Sequence, residues 1–319
     1  MGRLIDGVWH RDGVIPSSKD GRFHRADSTF RDWVSADGSS GFEAESGRYV
    51  LYVSLACPWA HRTLVLRRLK RLERVIDVVV VEPHMGEEGW SFGPDHPDPL
   101  YGSSRLHQLY TRADPHYTGK VTVPVLWDRK RETIVNNESS ELLRMLNSAF
   151  DDFGDASRDY YPEDLRETID ALNAEIYDKV NNGVYRTGFA TRQDAYEEAC
   201  NTLFETLAWL EQRLGRQRYL CGPRLTEADW RLFTTLVRFD PVYHYHFKCN
   251  RQRLSDHPAL WNYTRELYQM PGIADTVDFD HIKTHYYTSH PQVNPNRIVP
   301  LGPELDFAAP HDRDRLEAA

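Results

Sequence analysis

Long apolar runs are missing from this 319-residue sequence. No stretch approaches the roughly 18 consecutive apolar residues that a membrane helix needs, and residues 1–7 hold no apolar core of signal-peptide length. Basic residues are also fewer than acidic ones, 39 against 48. The resulting net charge of −9 argues against non-specific binding of nucleic acid. We therefore expect a soluble globular protein with neither a membrane nor a nucleic acid as its partner.

Cysteine is scarce as well. The four cysteines, at positions 57, 200, 221 and 249, are irregularly spaced, which fits a reducing compartment and predicts a cytoplasmic protein. A dithiol redox motif would place a second cysteine three residues after Cys57, but Ala60 stands there. Cys57 could form a mixed disulfide, yet an external thiol would have to resolve it. Glutathione, the most abundant intracellular thiol, is the natural candidate.

Around Cys57 the sequence has a strand–turn–helix pattern. Residues Tyr49 to Leu55 mix β-branched, aromatic and apolar types as a buried strand does, and apolar residues recur at helical spacing after the cysteine. Pro58 suits the first turn of that helix. A thiol at a helix N-terminus has a lowered pKa and forms the nucleophilic thiolate more readily. A buried structural cysteine at the same turn is the alternative.

The length of the chain allows two domains. We expect an irregular N-terminal arm over 1–47, an α/β domain over 48–154, an all-helical domain over 155–298 and an extended tail over 299–319. Within the α/β domain, a proline- and glycine-rich insertion over 84–120 carries aromatic residues, which favour an ordered segment.

The pattern of the α/β domain predicts β-α-β, then the insertion, then β-β-α. Residues 76–82 form the second expected strand, parallel to the first. A strand over 121–127 contains Pro124, which indicates an edge or a bulge, or a cis peptide bond before the proline. The chain returns as a strand at 133–135, and a helix capped by Asn or Ser follows from residue 137.

Amphipathic helices are predicted in the second domain, because apolar residues recur there at three- and four-residue spacing. Their expected ranges are 165–180, 193–214, 227–239 and 258–270. Thr226 and Asp229 have the spacing of a capping box at the start of the third helix.

This order of elements resembles two known folds. With Cys57-Pro58 at the first helix and Val123-Pro124 before the third strand, the α/β domain resembles the thioredoxin fold. The all-α domain behind it resembles the C-terminal domain of a glutathione transferase. Narrower motifs are similar to those of the glutathionyl-hydroquinone reductases, the Xi-class glutathione transferases. These motifs are Leu55-Ala-Cys-Pro-Trp-Ala-His-Arg62, Gly89-Trp-Ser-Phe92, Ala113-Asp-Pro-His-Tyr117, Asn136-Asn-Glu-Ser139, Asn181-Asn-Gly-Val-Tyr185, Phe239-Asp-Pro-Val-Tyr243 and Met270-Pro-Gly-Ile273. The likeness runs from Leu4 to about His311.

The resemblance implies an activity. Glutathionyl-hydroquinones would be reduced to hydroquinones through a mixed disulfide of Cys57 with glutathione, and oxidised glutathione would be released. Glutathione would be a co-substrate, aromatic glutathionyl conjugates would be the other substrates, and no metal would take part. Relatives form homodimers, so the resemblance implies a homodimer as well.

Site residues are implied by the same resemblance. Cys57 would be the nucleophile, and Tyr185 would donate or accept a proton at the aromatic substrate. Tyr243 and Tyr286 would lie close to the cysteine and help to lower its pKa. The glutathione-binding residues would be Trp90, Lys120, Val121, Thr122, Val123, Glu138 and Ser139. Lys120 departs from the family, where Arg is frequent, and a point charge would replace a bidentate fork there.

Plainer interpretations of these residues stay open. Tyr185 also fits packing at a helix end, and Trp90 fits a loop aromatic that covers a core. Glu138 and Ser139 fit helix capping equally well.

The histidines offer a weaker signal. His244 and His246 near Cys249 could suggest a metal site, but without a second ligand pair a structural or substrate-pocket role is favoured. His281 and His285 are four residues apart but lack the Glu of a zinc-protease helix.

Two other functions are compatible with the sequence. One is an Omega-like thioltransferase or dehydroascorbate reductase, which also uses a single cysteine. The other is a non-catalytic binding module, since one fold serves many functions.

Overall fold

The computed structural model describes residues 2–11 and 19–316, which divide into two compact units. The first unit comprises residues 2–11, 26–159 and 280–289, and the second comprises residues 19–25, 160–279 and 290–316. Each unit therefore includes a segment that is distant in sequence. The contiguous domain limits expected from the sequence stay a prediction. Among the described residues, no helix is both long and apolar enough to span a membrane.

Short strand pairs lie in the N-terminal part of the first unit. β1 (Arg3–Ile5) pairs antiparallel with β2 (Val8–His10), and β3 (Val34–Ser35) pairs in parallel with β4 (Phe42–Glu43). Asp6 and Gly7 have positive φ angles of 47° and 75°, which allow a two-residue reversal between β1 and β2. The expectation of an irregular arm is wrong for these segments.

A four-stranded mixed sheet forms the centre of the first unit. Its strands are β5 (Tyr49–Val53), β6 (Asp77–Val80), β7 (Val125–Asp128) and β8 (Thr133–Asn136), in the order β6-β5-β7-β8. β5 pairs in parallel with β6 and antiparallel with β7, which pairs antiparallel with β8. All five residues of β5 are buried, as a central strand requires.

Three helices accompany the sheet: α1 (Pro58–Leu69), α2 (His107–Ala113) and α3 (Ser139–Ser148). α1 joins β5 to β6, and α3 follows β8 and packs on α1. The predicted β-α-β and β-β-α halves of a thioredoxin-like fold are therefore confirmed.

The strand expected over 121–127 is shorter than predicted. β7 begins at Val125, directly after Pro124, and the Val123–Pro124 peptide bond is cis. Proline has no N–H to give to a strand ladder, so the residues up to the proline stay outside the sheet. Because they lie outside the sheet, these residues can contact groups other than a neighbouring strand.

The insertion over 84–120 packs its aromatic side chains as expected. Trp90, Phe92, Tyr110 and Tyr117 are buried. The backbone N–H of Leu106 donates to the carbonyl of Trp90 at 3.0 Å, and the N–H of Phe92 donates to the carbonyl of Ser104 at 3.1 Å. These two bonds hold both ends of the insertion's central loop together.

The second unit is helical. Its helices are α4 (Arg166–Ile176), α5 (Gly183–Gly188), α6 (Gln193–Leu214), α7 (Glu227–Leu236), α8 (His244–His246) and α9 (Pro258–Gln269). Two of the predicted helices were too long, because α4 and α7 end early and short π-helical segments follow at Tyr177–Asn181 and Phe239–Tyr243. The predicted capping box is present, since Asp229 accepts from the Thr226 backbone N–H at 2.8 Å.

The last α-helix and the tail follow α9 in the chain. Helix α10 (Phe279–Ser289) starts in the second unit, but its residues 280–289 belong to the first. In the tail, Phe307 is buried against Trp261, and Arg313 is fully buried and donates to the carbonyl of Leu214 at 2.6 Å. A short 3-10 helix, Arg313–Leu316, ends the described chain.

Candidate active site

Cys57 lies at the junction of β5 and α1. It is the N-cap residue of α1, with extended backbone angles of φ −74° and ψ 119°, and Pro58 occupies the first helical position. The side chain is partly exposed, and its thiol donates to the carbonyl oxygen of Val123 at 3.5 Å. A cysteine at a helix N-terminus with access to solvent has the setting of a reactive thiol rather than of a structural one.

The other cysteines have a different environment. Burial raises the pKa of Cys200 and of Cys221, and raises that of the fully buried Cys249 well above its usual value. A raised pKa keeps a thiol protonated and therefore unreactive near neutral pH. None of the four cysteines, all of which lie in the described part of the chain, forms a disulfide bond.

The segment that precedes the cis proline is held by tyrosine hydroxyls from the insertion. Tyr110 donates to the carbonyl of Thr122 at 2.9 Å and accepts from the Thr122 N–H at 3.2 Å. Tyr117 donates to the carbonyl of Lys120 at 3.0 Å. Burial raises the pKa of Tyr110 to about 12, so its hydroxyl keeps the proton it donates. The insertion thus fixes the backbone next to Cys57.

Glu138 and Ser139 stand at the start of α3. Glu138 is the N-cap, where Asn or Ser was expected, and its carboxylate accepts from the Ser140 N–H at 3.0 Å and from the Ser28 hydroxyl at 3.1 Å. Ser139 is buried and accepts from the Arg62 guanidinium at 3.3 Å. The capping interpretation is therefore confirmed for Glu138.

The Glu138 carboxyl is ionised at neutral pH. Burial pushes its pKa upward, but the hydrogen bonds from Ser140, the charge of Arg62 and the hydrogen bond from Ser28 outweigh burial, and the pKa falls below its usual value. The side chain is only partly covered, so a negative charge is presented at the N-terminus of α3. Such a charge can pair with an ammonium group while the neighbouring backbone N–H groups face a carboxylate.

Trp90 packs within the first unit on a residue of α10. Its ring stacks on His285, with centroids 4.8 Å apart and planes inclined by 24°. His285 is fixed in turn, because its Nδ1 lies 2.9 Å from the carbonyl oxygen of Pro83. Tyr286 follows on the same helix and is almost fully buried. No local sequence pattern predicts that residues 280–289 pack in the first unit.

His281 of α10 reaches the turn before the cysteine. Its Nε2 lies 3.4 Å from the Ser54 hydroxyl, which accepts from the backbone N–H of Ala56 at 3.2 Å. His281 and His285, spaced by one helical turn, thus both pack within the first unit. The spacing was visible in the sequence, but it marks a packed helix face.

Tyr185 and Tyr243 lie in the second unit. Both are buried, and their ring centroids are 5.9 Å apart. Tyr185 follows the first π-helical segment, and Tyr243 ends the second. Short π-helical segments inside α-helices are frequent at functional sites. The rings of Phe23, Phe189 and Phe247 surround Tyr185.

The histidines near Cys249 pack in the same unit. His246 is buried, and its Nε2 lies 3.3 Å from Nδ1 of His290. The thiol of Cys249 points to the carbonyl of Val184, at 3.8 Å. Within the described residues, no group of three or more His, Cys, Asp or Glu side chains is arranged to hold a metal ion.

Fold and sequence together define a class of protein. The family model for the "Glutathione S-transferase, N-terminal domain" matches residues 56–149, and the model for the "Glutathione S-transferase, C-terminal domain" matches residues 193–266. The two matches follow the order of the α/β and helical parts, and they put the chain among the glutathione transferases.

Full-length relatives narrow the class. The chain is 57% identical to the glutathionyl-hydroquinone reductase YqjG of Escherichia coli (strain K12), over 98% of this chain and 99% of that protein. It is 53% identical to the glutathionyl-hydroquinone reductase PcpF of Sphingobium chlorophenolicum, over 95% of this chain and 96% of that protein.

Solved structures agree. The glutathione-bound structure of YqjG superposes with a TM-score of 0.91 at 55% identity, covering 98% of this chain and 99% of that one. The Xi-class transferase of Natrialba magadii superposes with a TM-score of 0.93 at 53% identity, covering 99% of this chain and 97% of that one. The chain therefore belongs to the glutathionyl-hydroquinone reductases, the Xi class of glutathione transferases.

Proposed function

We propose that this protein reduces glutathionyl-hydroquinones to hydroquinones, with glutathione as co-substrate and reductant. The observation that carries the proposal is the setting of Cys57, a partly exposed thiol at the N-terminus of α1 with no second cysteine in its motif. The names of the relatives at 57% and 53% identity and the glutathione bound to one of them support the same reaction.

The reaction proceeds in two steps, in each of which a thiolate attacks sulfur. The Cys57 thiolate attacks the glutathione sulfur of the conjugate, the carbon–sulfur bond to the ring breaks, and its electron pair stays on the ring carbon. That carbon takes a proton, which we assign to Tyr185, and free hydroquinone leaves. A second glutathione, as thiolate, attacks the mixed disulfide, so that oxidised glutathione departs and the Cys57 thiolate is restored. The conjugate loses its glutathionyl group and the two glutathiones are oxidised to one disulfide.

The tripeptide is assigned to the first unit. The ionised Glu138 suits the ammonium group of the γ-glutamyl end, and the N-terminal N–H groups of α3 with Ser139 suit its carboxylate. Val123, whose carbonyl already accepts from Cys57, suits backbone pairing with the cysteinyl unit. Trp90 would contact the tripeptide beside Lys120, Val121 and Thr122. Tyr243 and Tyr286 would assist the cysteine.

The test is turnover of glutathionyl-hydroquinone with added glutathione, followed by chromatography of both products. The wild type should form hydroquinone and oxidised glutathione in equal amounts, and Cys57→Ser should form neither. Cys221→Ser is the matched control, because it removes another partly covered thiol and should retain turnover. Full activity of Cys57→Ser would overturn the mechanism. Higher activity on small mixed disulfides than on aromatic conjugates would favour an Omega-like thioltransferase instead.

A homodimer in the cytoplasm completes the proposal. The family resemblance suggests the dimer. The four cysteines, none of which forms a disulfide bond, suit a reducing compartment. Light scattering coupled to size exclusion would measure the mass of the particle in solution. A particle of about 37.1 kDa, the mass of one chain, would contradict the dimer.

A further inference from the structure

One serine closes the turn that leads into Cys57 in two ways. The backbone N–H of Cys57 donates to the carbonyl of Ser54 at 3.1 Å, and the backbone N–H of Ala56 donates to the Ser54 hydroxyl at 3.2 Å. The first bond closes a four-residue turn, and the second is the side-chain turn that serine favours. Ser54 is fully buried. The conformation of this turn therefore depends on where the Ser54 hydroxyl is held.

A histidine from a distant part of the chain contacts that hydroxyl. Nε2 of His281 lies 3.4 Å from Oγ of Ser54, although 227 positions separate the two residues in sequence. A hydroxyl has one hydrogen and two lone pairs, so Ser54 can accept from Ala56 and still pair with the imidazole nitrogen, as donor or as acceptor. His281 is buried and belongs to the same unit as Ser54. It thus helps to fix the serine that closes the turn.

His281 is held in place by its own surroundings. The ring of His96, in the insertion, packs at a steep angle to that of His281, with centroids 5.9 Å apart and planes inclined by 63°. Two turns further along α10, the Thr288 hydroxyl lies 2.9 Å from Nδ1 of His84. Side chains of the insertion therefore hold α10 at both of these positions, and the imidazole of His281 stays next to Ser54.

The position of the Cys57 thiol decides how strongly the helix stabilises its thiolate. Cys57 is the N-cap residue of α1 and has extended backbone angles. The favourable field of a helix N-terminus falls off within the first turn. A turn that is free to shift moves the thiol relative to the N-terminal N–H groups, and the thiolate is then stabilised less.

We propose that His281 is a positioning residue for Cys57, which through Ser54 holds the turn that presents the thiol at the N-terminus of α1. This role rests on the proposed function in that Cys57 is taken as the nucleophile. It requires a polar atom next to the Ser54 hydroxyl, and the bulk of the imidazole ring alone would not provide it.

The test measures the rate at which iodoacetamide alkylates Cys57 from about pH 4.5 to about pH 9.5, because the thiolate is the form that reacts. Mass spectrometry of the Cys57 peptide separates this reaction from alkylation of the other cysteines. His281→Leu fills space but cannot bond to Ser54. The midpoint of its rate profile should move to higher pH, so that the rate below the midpoint falls about threefold while the plateau at high pH changes little.

Matched variants separate the hydrogen bond from packing. His281→Gln can place its amide near the position of Nε2 and should retain most of the wild-type profile. Ser54→Ala should also raise the midpoint, and His281→Leu should add nothing in the Ser54→Ala background. Thr288→Val is the control, because it removes another side-chain hydrogen bond of α10 and should lower stability without moving the midpoint. If His281→Leu does not fold, His281→Asn, whose amide is one bond shorter than that of Gln, takes its place.

The outcomes that would overturn the role of His281 are distinct from those that would overturn the proposed function. Equal profiles for His281→Leu and His281→Gln, or additive shifts in the double variant, would show that His281 does not act through Ser54. Alkylation involves no hydroquinone, so it reports on the turn independently of turnover. A wild type with the expected midpoint shifts among its variants but no reduction of glutathionyl-hydroquinone would refute the proposed function alone. Normal turnover with an unmoved midpoint in His281→Leu would refute the role of His281 alone.

Discussion

Glu138 combines a structural task with a proposed binding task. Its carboxylate caps α3 through the Ser140 N–H, and its lowered pKa keeps the negative charge at neutral pH. Helix capping and the charge at a helix N-terminus both stabilise the folded state. The same charge would attract the ammonium group of glutathione. One residue therefore links folding stability to substrate binding at the start of the helix.

Glu138→Gln should weaken both tasks. The amide oxygen can still accept from Ser140, but the charge is gone, so we expect a loss of about 0.5–1 kcal/mol in the free energy of unfolding at pH 7. KM for glutathione should rise about tenfold, the effect of losing one charge-assisted hydrogen bond. Urea unfolding and steady-state kinetics measure the two effects.

The pH dependence gives the sign of the charge effect. The folded-state pKa of Glu138 lies below the ordinary value of 4.5, so its stabilising contribution is fully present above about pH 4.5. The contribution is lost as the pH falls through the lower folded-state pKa. The stability gap between wild type and Glu138→Gln should therefore shrink below about pH 4.5. A gap that stays constant from pH 7 to pH 3 would contradict an ionised Glu138.

Residues near the candidate site differ in how far the sequence could predict them. The setting of Cys57 was predictable, because a strand, a cysteine and a proline are adjacent in the chain. The support of Thr122 by the Tyr110 hydroxyl was not, since it depends on the fold of an insertion that local patterns do not determine. The capping role of Glu138 was open until the structure gave the partners of its carboxylate.

The helices also show how far local sequence patterns predict the structure. α6 was predicted with both ends correct, because its apolar stripe is continuous from Gln193 to Leu214. α4 is shorter than predicted because it passes into a π-helical segment at Tyr177, and α7 ends at Leu236, two turn residues before the second π-helical segment begins at Phe239. A π-helical turn keeps the helical pattern of the sequence almost unchanged, so periodicity alone does not reveal it. The first segment nevertheless ends four residues before Tyr185, and the second ends at Tyr243.

Helix α10 allows a test of how an element supports the site. Its His285 stacks on Trp90, and a second Trp–His stack in the first unit, Trp9 on His107, has the same centroid distance of 4.8 Å. His285→Ala should raise KM for glutathione about fivefold, since an aromatic pair contributes about 1 kcal/mol. His107→Ala should lower stability to a similar extent but leave this KM unchanged. Equal changes of KM in both variants would contradict a positioning role for His285.

The whole molecule is built with exchanged segments. Residues 19–25 precede most of the first unit in sequence but belong to the second, and residues 280–289 follow most of the second but belong to the first. The sequence predicts contiguous domains, because composition and periodicity report on local structure only. The sequence of a short segment such as 280–289 does not predict which distant part of the chain it will pack against.

This exchange leads to a prediction about cooperativity. Unfolding the second unit alone would release residues 19–25 and strain the connection to 280–289, whose contacts include His285 with Pro83 and Ser289 with Met85. We therefore expect both units to unfold in one transition, although a chain of this length often shows intermediates. Pulsed hydrogen exchange in urea, read by mass spectrometry, can follow β5 of the first unit and α7 of the second separately.

β5 and α7 should lose protection from hydrogen exchange at the same urea concentration. His285→Ala should lower the unfolding midpoints of β5 and α7 together, although His285 lies in the first unit. The reason is that α10 is one continuous helix whose first residue, Phe279, is packed in the second unit against Phe307. Loosening its later residues should therefore also loosen Phe279 and its contact with Phe307. Two separate midpoints in the wild type, or a shift confined to β5 in His285→Ala, would show that the units unfold independently despite the exchanged segments.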